Sequence, residues 1–120
     1  MADLSFYKGR RVLVTGHTGF KGSWLCRILE KAGAEVVGYS LMPPTEPNLF
    51  NLASIEDGMD SIYGDVRDEG HLNELIAQVR PDVIFHLAAQ PLVRYSYMEP
   101  RLTFETNIMG TVNVLEAIRK

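Results

Sequence analysis

Two hydrophobic rhythms alternate along the chain. Val12-Leu13-Val14, within Arg11 to Thr15, is an unbroken apolar run of strand length, and Phe20, Trp24, Leu25, Ile28, Leu29 and Ala32 then recur at the spacing of one helix face. The run predicts a buried parallel strand, and the recurrence predicts a helix that Gly33 closes. Glu35 to Tyr39 is a second short, β-branched run. From Ser40 to Asp60 the rhythm lapses, and the prolines of Leu41-Met42-Pro43-Pro44-Thr45-Glu46-Pro47 forbid a regular ladder or helix, so this stretch is expected to be mostly loop. Ser61-Ile62-Tyr63 predicts a third strand that ends at Gly64-Asp65. Leu72, Leu75, Ile76 and Val79 mark a second helix, with Asp68 as its cap. Val83 to Leu87 is nearly all apolar, as in a strand covered on both faces. Pro100 suits the first turn of a last helix, in which Phe104, Ile108, Val112 and Leu115 hold a period near four up to Lys120.

The order is β-α-β, loop, β-α-β-α, which predicts an α/β fold: a doubly wound parallel sheet with helices on both faces. The 120 residues, 46% hydrophobic and 22% charged, suffice for one domain with a modest core. Twelve Lys and Arg against fifteen Asp and Glu give a net charge of -3 with no basic run, which argues against a nucleic-acid partner. No apolar stretch approaches the roughly 20 residues that span a bilayer, so no membrane partner is expected. Met1-Ala2-Asp3-Leu4 lacks the charged and apolar regions of a signal peptide, and the expectation is a cytoplasmic protein. Cys26 is the only cysteine and reads as a small filler on a helix, and no metal site is expected.

In a doubly wound sheet, ligands sit beyond the carboxyl ends of the strands. After the first strand stands Gly16-His17-Thr18-Gly19-Phe20-Lys21-Gly22, a G-x-x-G-x-x-G loop opening a helix. Glycines there let the backbone turn tightly and approach a dinucleotide pyrophosphate, while free amides and the helix dipole favour anionic oxygen. After the second strand comes Ser40, where a carboxylate would hold the adenosine ribose and reject a 2′-phosphate, so NAD and NADP both stay open. After the third comes Asp65-Val66, whose carboxylate suits the exocyclic amine of adenine, or is simply a turn aspartate. After the fourth, Leu87-Ala88-Ala89 supplies small side chains against which a ribose or nicotinamide can lie. His17, Lys21 and Arg67 are candidates to meet a phosphate, with a surface role favoured for Arg67. His86 is expected to bond within the protein. Asn107 and Gly110, two poor helix formers within one turn, indicate a bonding or packing need, and Asn107 is expected to hold the fourth strand's backbone.

Four blocks resemble the extended short-chain dehydrogenase/reductase family of NAD-dependent sugar-nucleotide epimerases and dehydratases. They are Val14 to Gly22, Gly64 to Asp68, Phe85 to Gln90, and Thr106 to Ala117. The resemblance implies a Rossmann-type fold over residues 1–120 and NAD held by the glycine loop, by Asp65 and Val66 around adenine, and by Leu87, Ala88, Ala89 and Gln90. It also implies a homodimer through the helix from Pro100 to Lys120. Narrower blocks, His17 to Trp24, Gly38 to Leu41, Pro43 to Phe50 and Gln90 to Arg94, resemble the 4,6-dehydratase members that take CDP-glucose as substrate. Such chemistry removes a hydride from C4 of the sugar to NAD, eliminates water across C5 and C6, and returns the hydride to C6. The family's tyrosine and lysine four positions apart are not found here, so catalytic residues are expected beyond Lys120 and this chain alone is expected to be inactive. On that reading the fourth strand is an unpaired edge and one face of the last helix is uncovered. Arg94, Ser96 and Tyr97 read as surface loop. Another nucleotide-sugar epimerase or dehydratase, or a non-catalytic dinucleotide-binding module, remain as alternatives.

Overall fold

Val12, Leu13 and Val14 have no solvent exposure at all, and they lie in β1 (Arg11–Thr15), an inner strand of the sheet. The computed structural model describes residues 3–120; Met1 and Ala2, part of the segment read above for a leader, lie outside the described residues. Four parallel strands pair in the order β3-β2-β1-β4, with β2 (Glu35–Ser40), β3 (Asp60–Tyr63) and β4 (Val83–His86). Successive side chains of a strand point to opposite faces. Val12, Val14 and Val36 therefore pack on one side with Cys26, Leu29, Phe50 and Ile55, and Leu13, Val37 and Tyr39 on the other with Leu72, Leu75, Ile76 and Val114. The first layer is supplied by α1 (Phe20–Lys31) and α2 (Leu49–Leu52), the second by α3 (Glu69–Val79) and α6 (Gly110–Arg119). A parallel sheet covered on both faces is the doubly wound arrangement.

The two apolar stripes read from the sequence do not simply line the core: of the α1 stripe Leu29 and Leu25 pack against the sheet, and most of the rest points outward. Phe20, Trp24 and Ile28 of α1 are exposed, Trp24 by 51%, and the face against the sheet is Gly22, Ser23, Cys26 and Leu29. Small residues let that helix approach the sheet closely. Likewise Phe104, Ile108, Val112 and Leu115 face outward, Leu115 by 60%, while Gly110, Asn113, Val114 and Ala117 pack inward. The last helix is also not continuous. It runs through α5 (Pro100–Phe104), a π turn (Glu105–Met109) and α6, preceded by a separate α4 (Val93–Met98) that takes up Arg94, Ser96 and Tyr97.

The stretch from Ser40 to Asp60 holds more structure than its prolines suggest. Asn48 caps α2 by accepting from Asn51 N at 2.8 Å, Phe50 is buried, and a 3-10 turn (Ile55–Gly58) buries Ile55. Residues 41–48 stay irregular, with only the turn at Ala53 and Ser54 and the bend at Met59 between the short elements that follow. β4 lies at the sheet's edge and is only half-buried throughout, with Leu87 just past its end. Among the described residues no helix is long and apolar enough to cross a membrane, and no group of three His, Cys, Asp or Glu is placed to hold a metal ion.

Candidate functional site

From β1 the chain moves outward to β2 and β3 and then returns to β4 on the other side of β1, so the connection reverses between β1 and β4. A crevice opens at such a reversal, at the carboxyl ends of the strands. The glycine loop and the segment after β4 form its walls. Gly16 has φ +78°, and a Cβ on it would lie 2.8 Å from Ala88 N. A Cβ on Gly22 would fall 2.8 Å from His17 Cα and against the Gly16 carbonyl. Neither position has room for any other residue.

Beyond that turn, α1 begins without the usual protection. Its N-cap is Gly19, no side chain bonds its first amides, and its first turn has no acidic residue. Helix starts leave four amides without an internal partner. The other two helices of this half of the chain do otherwise: Asn48 caps α2, and Asp68 Oδ1 accepts from His71 N at 3.1 Å to cap α3. Lys21 in the first turn of α1, exposed, opposes the helix dipole rather than complementing it. An anionic group at this helix start satisfies both the amides and the lysine, so the loop fits a pyrophosphate. Phe20 stands exposed beside a cleft of about 300 Å³ that Pro44, Pro47 and Leu49 also line.

The side chain of His17 does not take the phosphate role open to it from sequence. Its ring is fully buried, 2.7 Å from Ser61 Oγ through Nε2 and edge-on to Phe50 at 5.3 Å. Burial lowers its pKa to about 4, so the imidazole is neutral and props the loop from beneath. Ser23 Oγ donates to the His17 carbonyl at 2.9 Å and ties the loop to α1. Arg67 is committed elsewhere as well, to Asp65 at 2.7 Å and Glu105 at 3.4 Å.

At the tip of β3, Asp65 accepts from Arg67 N at 2.9 Å and from the Arg67 guanidinium, which holds its carboxyl below the usual carboxylate range. It is thus a turn aspartate and an ion-pair member at once, and an adenine amine would share its oxygens. The Val66 side chain is buried in the core, not offered to a ligand. Tyr39, also fully buried, donates its hydroxyl to the Asp65 carbonyl at 2.9 Å and fixes the turn. Burial pushes that phenol up to about 12, so it is a donor and not a base. Ser40 contacts Thr18 Oγ1 at 3.0 Å across the loop.

At the tip of β4, one directed chain of hydrogen bonds fixes the wall of the crevice. Thr15 Oγ1 accepts from Leu87 N at 3.0 Å and Ala88 N at 3.2 Å, so its proton goes to His86 Nδ1 at 2.7 Å. The other ring nitrogen, Nε2, then donates to Thr111 Oγ1 at 3.1 Å, and Thr111 donates to the Asn107 carbonyl at 2.7 Å. The Asn107 side chain closes the path by accepting from Gln90 N at 2.7 Å and donating to Gln90 O at 3.2 Å. His86 bonds within the protein as expected, and Asn107 pins the backbone just past the fourth strand from within the π turn. Thr15, Thr18, Tyr39 and Thr111 carry these contacts and were not singled out by sequence; a hydroxyl within an apolar run was the available signal at Thr15. Ala89 is exposed and free of bulk, as a close-lying ligand requires. Cys26 is buried, its thiol pushed up to about 12 by burial, an inert filler.

The larger concavity, about 750 Å³, lies at the opposite end of the sheet between Arg11, Glu35, Asp57 and Gln78. Helices present their carboxyl ends there, so it has none of the free amides of the glycine loop.

A parallel sheet wound in this order, with a glycine loop feeding an uncapped helix at its reversal point, defines a Rossmann-type nucleotide-binding domain. The chain belongs to the GDP-mannose 4,6 dehydratase family, whose model matches residues 13–120. A CDP-glucose 4,6-dehydratase of Salmonella typhimurium is 52% identical over 120 residues, all of this chain and 33% of the relative. A GDP-mannose 4,6-dehydratase of Vibrio cholerae is 33% identical over 89% of this chain and 30% of its own length. A UDP-glucose 4-epimerase of Thermus thermophilus, solved in complex with NAD, superposes with a TM-score of 0.79 at 34% identity, over 91% of this chain and 33% of that structure. The chain thus spans about a third of the length of the curated relatives it matches.

Proposed function

We propose that this chain is the dinucleotide-holding, amino-terminal part of an NAD-dependent sugar-nucleotide 4,6-dehydratase whose substrate is CDP-glucose. The observation that carries the reading is the uncapped start of α1 behind Gly16 and Gly22, at the reversal between β1 and β4. The choice of CDP-glucose over other nucleotide sugars is supported by 52% identity along the whole chain to a CDP-glucose 4,6-dehydratase. In this role NAD supplies a reversible hydride acceptor. The free amides from Phe20 to Gly22 hold its pyrophosphate with Lys21 beside them, Asp65 and the backbone of Val66 receive adenine, and Leu87, Ala88, Ala89 and Gln90 form the wall for ribose and nicotinamide. Groups that move the sugar's protons belong to the part of the relatives' length that this chain does not span. The outward apolar stripe of Phe104, Ile108, Val112 and Leu115 supports a homodimer through the helix from Pro100 to Lys120, in a cytoplasmic protein.

Calorimetric titration of the chain with NAD tests the site, with binding expected. Incubation of the longer protein that contains this sequence with CDP-glucose, dTDP-glucose and GDP-mannose tests the substrate. Formation of a 4-keto-6-deoxy product from CDP-glucose is expected, and turnover of only the other two overturns the assignment.

A further inference from the structure

The π turn at Glu105–Met109, closed by the Gly110 amide on the Glu105 carbonyl, breaks what the sequence reads as one helix. Such turns are rare and occur mostly at functional sites. Here it shifts the phase of the helix. Glu105, Gly110 and Asn113 are five and three positions apart, and with one residue absorbed in the wide turn they fall where i, i+4 and i+7 fall on one face of an unbroken helix. All three meet the tip of β3. Glu105 Oε2 accepts from Arg67 Nη1 at 3.4 Å, a Cβ on Gly110 would lie 2.7 Å from Val66 Cγ2, and Asn113 donates to the Val66 carbonyl at 2.9 Å. Asn107 and Thr111 meet the tip of β4 instead, through Gln90 and His86. β3 and β4 are the outer strands of the sheet, three strand spacings or about 14 Å apart. Among the described residues no main-chain hydrogen bond joins their tips. The π turn touches both, Glu105 reaching one and Asn107 the other.

Arg67 divides its guanidinium between two carboxylates. Nε and Nη2 donate to Asp65 at 3.0 and 2.7 Å, and Nη1 donates to Glu105, whose second oxygen is held by Arg101 at 3.2 Å. With Glu105 in place the fork is drawn towards the π turn, and a base that brings an amine can take its share of Asp65. Without it the fork closes on Asp65 and fills the oxygens that the amine needs. We infer that the π turn couples the two ends of the crevice, with Glu105 and Asn107 as its positioning residues: the hold on Gln90 at the β4 tip keeps Glu105 placed, and Glu105 keeps Asp65 open at the β3 tip. This inference rests on reading the crevice as a dinucleotide site, and it adds a link between ends that the reading treats separately.

Titration of the full chain with NAD and with nicotinamide hypoxanthine dinucleotide, in which an oxygen replaces the adenine amine, isolates the contact at Asp65. One hydrogen bond to a charged group is expected to make NAD about tenfold tighter for the wild type. Glu105→Ala is expected to contract that ratio by about threefold, because partly exposed ion pairs are individually weak. Glu105→Gln still accepts from Arg67 and recovers part of it. Asn107→Ala, at the other end of the crevice, is the decisive variant, and a contraction of about threefold is expected there too. Asn107→Asp keeps the acceptor for the Gln90 amide and loses only the donor to the Gln90 carbonyl, so it contracts the ratio less and serves if the alanine variant does not fold. A purely structural Asn107 would weaken both dinucleotides by the same factor. Equal wild-type affinities, or a ratio unmoved by the substitutions at either position, overturn the inference and leave the dinucleotide site standing. Binding of neither dinucleotide to the wild-type chain removes that site and this inference together.

Discussion

α1 and α3 both start just past the tip of a strand, on opposite faces of the sheet, and each start has a histidine close by, yet the two are built on opposite principles. α3 is self-sufficient: Asp68 caps it, Glu69 complements its dipole in the first turn, and His71 sits partly exposed beside Tyr39. α1 has glycine at the cap, lysine in place of an acid, and His17 entombed beneath the loop. A side-chain cap contributes about 1 kcal/mol, and α1 forgoes it, as the short α4 just past the β4 tip also does, while α2 and α3 keep theirs. At the glycine loop, where the missing cap coincides with close backbone approach at Gly16 and Gly22 and a lysine in the first turn, the open amides fit an anionic ligand.

The most damaging way to break this contrast is to fill the space under the loop. Gly22→Ala puts a Cβ against the Gly16 carbonyl and His17 Cα, and overpacking of that kind costs about 1–3 kcal/mol. Displaced amides are expected to lose two charge-assisted hydrogen bonds of about 1.5 kcal/mol each, so NAD affinity falls by about a hundredfold or more. Urea denaturation and calorimetric titration of the variant check both numbers. Gly19→Ala is the control for stability, since its Cβ would rest 3.5 Å from Gly16 O, an ordinary contact.

Acid separates the two histidines next. His17 has a folded pKa of about 4 against 6.5 when free, so below pH 6.5 the unfolded chain binds a proton that the folded one refuses. Stability therefore falls as pH drops from 6.5 towards 4, by up to about 3 kcal/mol, and levels off below that. Burial lowers His86 too, and it acts in the same sense. Denaturation midpoints at several pH values in this window test it, and a His17→Gln variant with an unchanged pH dependence would show that the buried imidazole is not responsible.

Exchanging the caps is a smaller and more discriminating change. Gly19 has φ -77° and ψ 173°, an extended conformation open to any residue, so Gly19→Asp gives α1 the cap that α3 has. The expected outcome is a gain of up to about 1 kcal/mol in stability with loss of NAD binding, because a carboxylate then holds the amides. Asp68→Ala is the mirror experiment, with a loss of about 1 kcal/mol and unaltered NAD affinity. Equal effects of the two substitutions on binding would erase the contrast between the helices.

How much of this was legible in the sequence depends on the range over which each feature is decided. β1 is an uninterrupted apolar run, and the glycine spacing at its end locates the loop; both are local. Asn107 and Gly110 signalled a bonding or packing need because they violate helix preference within a few residues, though not the π turn in which Asn107 meets it. Which way the apolar faces of α1 and α6 turn was not legible, because a stripe of large residues looks the same whether it meets the sheet or the outside. The inward face of α1 is Gly22, Ser23, Cys26 and Leu29, and that of α6 is Gly110, Asn113, Val114 and Ala117, with Gly110 and Asn113 set against Val66. His17 could not be placed from sequence because its neighbours, Phe50 and Ser61, are supplied by a stretch that reads as loop and by the strand after it. The capped short helix at Leu49–Leu52 was hidden by the prolines before it, though Asn48 was its signal.

The smallest effect tests the wall opposite α1. Thr111→Val keeps the shape of the side chain and removes a hydroxyl that accepts from His86 Nε2 and donates to the Asn107 carbonyl. Loss of a neutral hydrogen bond at a half-buried site costs about 1 kcal/mol, and the freed imidazole N–H no longer fixes the tautomer that lets Nδ1 receive the Thr15 proton. The β4 tip loses its tie to the Asn107 carbonyl, so Asn107 is held less firmly and the Gln90 amide that bonds its side chain is expected to exchange its hydrogen faster while α3 is undisturbed. Thr111→Ser retains the hydroxyl and restores slow exchange. If the valine and serine variants exchange at the same rate, the path from Thr15 to Gln90 is a set of independent contacts, and the wall of the crevice owes its position to packing alone.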